Sequence, residues 1–164
     1  MIEDALQRYL LNRKIAAGEV VHAGWLVFRI AKVGPPPEFE SLDFKKVASF
    51  TRDLSEAEAI FRMQSDMLRK HSVSEEPCTL RHTAVVSRNY FPGHPAAFLK
   101  RDSGAKERDS GWYVGISDEE LDMNDATSFV VHSLYELSIQ DRRMLPFWLM
   151  PVGTAVSLSD GEVA

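Results

Sequence analysis

Five histidines and one cysteine are the most chemically versatile side chains of this sequence. His22, His71, His82, His94 and His132 offer metal ligation or proton transfer, and Cys78 offers a nucleophile with a histidine as its base. Their spacing argues against each use. No two histidines stand three or four residues apart, so no helix presents a local pair of metal ligands. His132 lies within an apolar strand pattern and reads as a partly buried strand residue. His94, between Gly93 and Pro95, reads as a turn residue. A lone cysteine without local context is usually a small buried side chain. Serine, histidine and aspartate can be combined on paper, but no Gly-x-Ser-x-Gly elbow focuses them. No catalytic, metal-binding or cofactor-binding residue is therefore expected. A small hydrolase would become credible only if two or more of His82, His94, His132, Asp109 and Cys78 met in one pocket.

Two further patterns carry charge. Asp-Ser-Gly occurs at 102–104 and again at 109–111, flanking Ala105-Lys106-Glu107-Arg108. Glycine beside Lys and Arg suggests phosphate binding, but the Gly-x4-Gly-Lys-Ser/Thr spacing and a following helix are missing. A hairpin loop feeding a strand fits better. The second pattern is the acidic run Asp118, Glu119, Glu120, Asp122 and Asp125. It lacks the alternation, central glycine and terminal glutamate of a calcium loop. Residues 115–141 hold seven acids and no Lys or Arg. Such a surface suits a basic protein partner, because carboxylates steer association and pair with Arg or Lys. Asp118, Glu119, Glu120, Asp122 and Asp125 are therefore the candidate partner-binding residues. Trp112, Tyr113, Tyr135 and Trp148 read mainly as core, with one of them available as an anchor.

The bulk properties narrow the class. A chain of 164 residues can bury a sizeable core. The net charge of −5 speaks against a nucleic-acid partner. No apolar run approaches the roughly 18 residues of a membrane helix, so no membrane association is expected. Residues 1–9 carry Glu3 and Asp4 rather than a signal-peptide pattern. One cysteine excludes an intrachain disulfide. Together these predict a cytoplasmic protein.

Several elements must position these residues. Residues 2–14 predict a helix with Ile2, Leu6, Tyr9, Leu10 and the stem of Arg13 on one face. Residues 25–33 predict a strand apolar on both sides, with 20–22 as a hairpin partner. Gly34-Pro35-Pro36-Pro37 ends it, as a stiff connector. Asp43 is placed to cap a short helix with Phe44, Val47 and Ala48 inward. Ser55-x-x-Glu58 is a capping-box pattern before a helix over 55–70, with Ala57, Ile60, Phe61, Met67 and Leu68 as its apolar face and Arg69, Lys70 and His71 in its last turn. An acidic linker over 72–77 follows. Strands are then expected over 83–87, 96–100, 112–116, 128–134 and 154–158, with a turn at 92–95 and a helical turn over 140–145. The fold class is α+β: N-terminal helices plus a mostly antiparallel sheet in the C-terminal half. The organisation is a helix and strand region over 1–76 and a β-rich region over 77–164, within one compact domain.

The second half carries a resemblance. Val-Val-Ser at 85–87, Asp-Ser-Gly-Trp at 109–112, the acidic segment 118–125, Pro-Phe at 146–147 and Pro-Val-Gly-Thr-Ala at 151–155 follow in order. Over about residues 80–160 this resembles a family of bacterial immunity proteins, immunity family thirty-three. Val131-His132-Ser133-Leu134 stands where the family has a phrase like Ile-Tyr-Ser-Leu. The resemblance implies a non-enzymatic protein that binds and neutralises a cognate toxin of a type VI or other polymorphic secretion system, for instance a nuclease with a basic cleft. It implies fold-building roles for Asp109, Gly111, Trp112, Pro151 and Gly153. The alternative is a general protein-binding module or effector chaperone acting through its N-terminal helices.

Overall fold

The computed structural model describes residues 2–10, 13–46, 48–104, 107–122, 124–159 and 163. Its first half builds a four-stranded antiparallel sheet of β1 (Val20–Ala23), β2 (Leu26–Lys32), β3 (Glu38–Leu42) and β4 (Phe50–Thr51), in that order. Two helices accompany it, α1 (Ile2–Leu10) and α2 (Ser55–His71). The second half builds a five-stranded sheet ordered β8-β5-β7-β6-β9, from β5 (Thr83–Ser87), β6 (Ala97–Arg101), β7 (Asp109–Ile116), β8 (Phe129–Ser133) and β9 (Ala155–Ser157). Among the described residues only β5 and β7 run parallel, and the other strand pairings are antiparallel. A third helix, α3 (Leu134–Gln140), follows β8 directly. The α+β expectation holds, although the helices are not confined to the N-terminal half.

The first sheet departs from expectation in three places. The helix at the start ends at Leu10, and Arg13 donates its backbone N–H to Leu10 in a turn; the Tyr9 side chain lies outside the described residues. The proline run ends β2 and connects as expected, but it leads into a strand that was not expected: Lys32 and Glu38 on either side of it are paired neighbours in β2 and β3. Among the described residues no helix follows Asp43. Its carboxylate accepts the Lys45 N–H at 2.8 Å and its own N–H donates to Ser49 at 2.9 Å, closing a loop between β3 and β4. An Asp side chain that satisfies the backbone two residues on competes with helix formation. Phe44 is buried as expected, Ala48 is exposed, and Val47 lies outside the described residues.

Helix α2 has the expected extent and the expected basic last turn, closed by Ser72 in the left-handed conformation. Its capping box does not form. Ser55 is the first helical residue, and its N–H is taken at 3.0 Å by Asp53, an ionised acceptor stronger than a hydroxyl. The buried face of α2 contains Ala57 and Ile60, and also Gln64, whose amide donates to the Leu145 carbonyl at 3.0 Å. A buried polar group is tolerated when its hydrogen bond is made.

A continuous core draws on both halves, from Trp25, Phe28 and Ile60 to Leu99, Trp112 and Trp148. At its centre is Arg101, the last residue of β6 and only 3% exposed. Its guanidinium donates to the carbonyls of Ser110, Glu76, Trp148 and Met150. The Trp112 indole N–H and the Cys78 thiol also donate to the Trp148 carbonyl. The strand expected over 96–100 stops short of Arg101, which belongs to β6 and is a buried cross-link.

Candidate functional site

The two Asp-Ser-Gly motifs meet where β6 turns into β7. Asp102 donates its N–H to the Gly111 carbonyl at 2.9 Å, and Arg101 pairs with Trp112. The segment is thus a hairpin, as its turn residues predict; Ala105 and Lys106, which prompted the phosphate-loop comparison, lie outside the described residues. The strand begins at Asp109 rather than Trp112. Beside β5 it carries a bulge, since Thr83 pairs with Asp109 but Val85 with Tyr113. Asp109 accepts the Gly111 N–H at 2.9 Å, and the Ser110 hydroxyl donates to the Thr83 carbonyl at 2.7 Å.

The acidic segment leaves the far end of β7, and its five carboxylates have different tasks. Glu119 reaches back to the end of β5, accepting the Ser87 hydroxyl at 2.6 Å and the Asn89 amide. Asp122 accepts the Asn124 N–H at 2.9 Å. Asp125 caps a short 3-10 turn over 126–128, accepting the Thr127 hydroxyl and N–H. Those two bonds, the hydroxyl's first, hold its carboxyl below the usual range. Asp118 and Glu120 are exposed and have no partner among the described residues. The segment is therefore a built loop with two free carboxylates at its surface.

Next to it lies an aromatic row. Phe98, Tyr113 and Phe129 stand edge to face, with ring centroids 5.7 Å and 6.1 Å apart. Burial, and after it the nearby Glu119 carboxylate, raises the Tyr113 hydroxyl pKa. Tyr113 is only half-buried and outside the core, unlike its neighbour Trp112 and unlike Trp148, which are fully buried. Tyr135 is half-buried, with its hydroxyl on the Asp43 carbonyl at 2.9 Å.

The residues that invited catalytic readings do not converge. A cleft of about 710 Å³ between the two sheets is floored by Val27, Leu42, Phe50 and Leu80 and edged by Arg81, His82 and Arg108. Of the five chemical candidates it holds His82, whose Nδ1 accepts the Thr79 N–H at 2.9 Å. A second cleft, of about 340 Å³, holds Asp109. His94 sits in the expected turn, accepting the Ala96 N–H, with its ring against Phe91. His132 is a half-buried strand residue opposite Ala84. Burial pushes the Cys78 thiol up to about 11, which leaves it protonated and unreactive at neutral pH. Among the described residues no group of three or more His, Cys, Asp or Glu could hold a metal ion.

One strongly coupled cluster escaped the sequence reading. Asp141 is buried and accepts the Tyr90 hydroxyl at 2.8 Å, the Gly93 N–H at 3.0 Å and the Arg143 guanidinium at 2.7 Å. Burial alone would raise its pKa; the bonds from Arg143, Gly93 and Tyr90 outweigh burial and depress it strongly. Arg143 also donates to the His94 and Leu158 carbonyls. The cluster fastens the 92–95 turn and Leu158, just after β9, to the segment after α3. Asp141 and Arg143 are neighbours in sequence, but Tyr90 and Gly93 lie 51 and 48 residues from Asp141, so no local spacing announces the cluster.

The second half is a mixed sheet with a bulge and a hairpin, and together with the antiparallel first sheet and its helices it makes the chain an α+β protein. The Imm33-like domain family matches residues 63–164, and the chain belongs to that family. It is an immunity-type family. No curated protein and no solved structure matched the chain. No helix of the described residues is long and apolar enough to cross a membrane.

Proposed function

We propose that this chain is an immunity protein that binds a cognate bacterial toxin and neutralises it by occlusion, without chemistry of its own. The observation that carries this reading is the Imm33-like domain over residues 63–164. The partner is a toxin of a type VI or other polymorphic system, and the immunity protein acts in the cytoplasm. The free carboxylates of Asp118 and Glu120 favour a toxin with a basic surface, as on a nuclease cleft. Exposed acids of this kind act chiefly on encounter: they raise the association rate and make it salt-dependent.

The test uses the product of the adjacent gene. Co-expression with this chain should restore growth, and the two should co-purify. Asp118→Lys with Glu120→Lys should slow association about 10-fold at low salt and flatten its salt dependence. Glu119 is left intact because it holds the loop to Ser87 and Asn89. Unchanged association kinetics would remove the acidic loop from the interface. Absence of any complex would remove the immunity reading.

A further inference from the structure

The five-stranded sheet has a second face whose centre is apolar, with one cation at its side: Lys100, paired with Tyr113 across β6 and β7 and held by Asp102 at 3.2 Å. Ala84, Val86, Trp112 and Val114 point into the core. Strand alternation sends their neighbours outward. Val131 stands beside Val85, and Val85 beside Tyr113. Phe129 and Phe98 extend the row on either side of the Tyr113 ring. Val131 is 63% exposed and Val85 36%. A sheet face turned to water normally carries polar residues, and a contiguous apolar patch marks an interaction site.

This face is also prearranged. The Tyr113 and Phe98 rings lie over Gly115, where a Cβ would fall 2.6 Å and 2.8 Å from them. The glycine leaves the space that the edges of both rings occupy. A rigid aromatic floor loses little side-chain freedom on binding.

Two observations identify what covers it. First, the acidic loop borders the face: Glu119 bonds Ser87, the residue paired with Phe129, and its charge is felt by Tyr113. An apolar centre with an acidic rim complements apolar side chains flanked by Arg or Lys. Second, a second copy of this chain fits poorly, because a two-fold contact would set a chain of net charge −5 against itself across that rim. We propose that the open face around Val85, Tyr113 and Val131 is the centre of the partner-binding surface, and that its occupant is a basic-flanked apolar protrusion of the toxin. The proposal rests on the immunity reading and extends it, since it leaves encounter to the acidic loop and assigns the contacts that control dissociation to the sheet.

The experiment measures binding of the wild-type chain and of Val85→Ser with Val131→Ser to the purified adjacent-gene product, over a range of salt. Both substitutions are neutral, so the electrostatics are unchanged. The double variant should dissociate about 30-fold faster, with its association rate within about threefold of wild type and the same salt dependence. Should the double variant unfold, Val131→Ser alone, at the most exposed position of an edge strand, should still speed dissociation about fivefold. Wild-type binding with an unchanged dissociation rate in the folded variant overturns the proposal and leaves the immunity reading standing. No binding by wild type overturns both. A free wild-type chain that sediments as a dimer, and as a monomer after Val131→Ser, assigns the face to a second copy and also overturns the proposal.

Discussion

Asp141 shows how a single side chain acquires weight from its surroundings. Its carboxylate collects the Tyr90 hydroxyl, the Gly93 N–H and the Arg143 guanidinium in a buried position. Because these bonds favour the ionised form, the folded pKa lies below the unfolded value of about 3.9. The cluster's contribution to stability is then complete above about pH 5 and is lost as the pH falls through the folded pKa. Asp141→Asn should cost about 2 kcal/mol at pH 7, and the gap from wild type should narrow below about pH 4; urea unfolding across that range reads it. A gap independent of pH would mean that the charge contributes nothing. Residues of this kind were not legible beforehand. Arg101 and Asp141 take their partners from distant segments, and a charged residue at a strand end or before a turn looks the same in sequence whether it is buried or solvated. His94, His132 and Cys78 were legible, because their immediate neighbours define a turn, a strand and an absence of context.

The elements divide along the same line. The long helix was readable from its 3.6-residue period, and the hairpins from their glycines and prolines. The two short strands after the proline run and the helix after Ser133 were missed. Phe50–Thr51 is too short to show a period. The seven residues of α3 start at a capping box formed by Ser133 and Glu136, which sits at the end of an apolar strand pattern and is masked by it. The outward face of the second sheet was hidden for a related reason: valines on both sides of a strand read as burial on both sides. The Asp109–Gly111 bulge is the element that can be tested most directly. Gly111 has φ of +77°, and a Cβ there would meet the Asp102 carbonyl oxygen at 2.0 Å. Gly93 has a similar φ of +81° with nothing within 4 Å. Gly93→Ala should therefore cost only the backbone strain, about 1 kcal/mol. Gly111→Ala should cost about 3 kcal/mol or more, because the hairpin must open to make room. Chemical denaturation of the two variants gives the comparison; equal losses would show that φ alone governs both sites.

For the whole molecule, contacts across residue 76 bear on how it unfolds. Gln64 reaches Leu145, Tyr135 reaches Asp43, Leu80 donates to the Trp25 carbonyl at 3.2 Å, and Glu56 pairs with Arg142. We expect regions 1–76 and 77–164 to unfold together, with denaturation curves from far-ultraviolet circular dichroism and tryptophan fluorescence superimposing. Two resolved transitions would instead make the boundary real. The class of fold was legible from composition and pattern, whereas the joining of the two sheets was not, since it depends on which apolar faces meet.

Cys78 gives the molecule an internal clock. It is the one thiol of the chain, it is bonded to the Trp148 carbonyl at 3.0 Å beside Arg101, and burial keeps it protonated. An alkylating reagent in solution therefore has nothing to attack until the layers around Trp148 part. Each labelled molecule then records one opening of the seam between the sheets, and a bound partner that holds the seam shut slows the count.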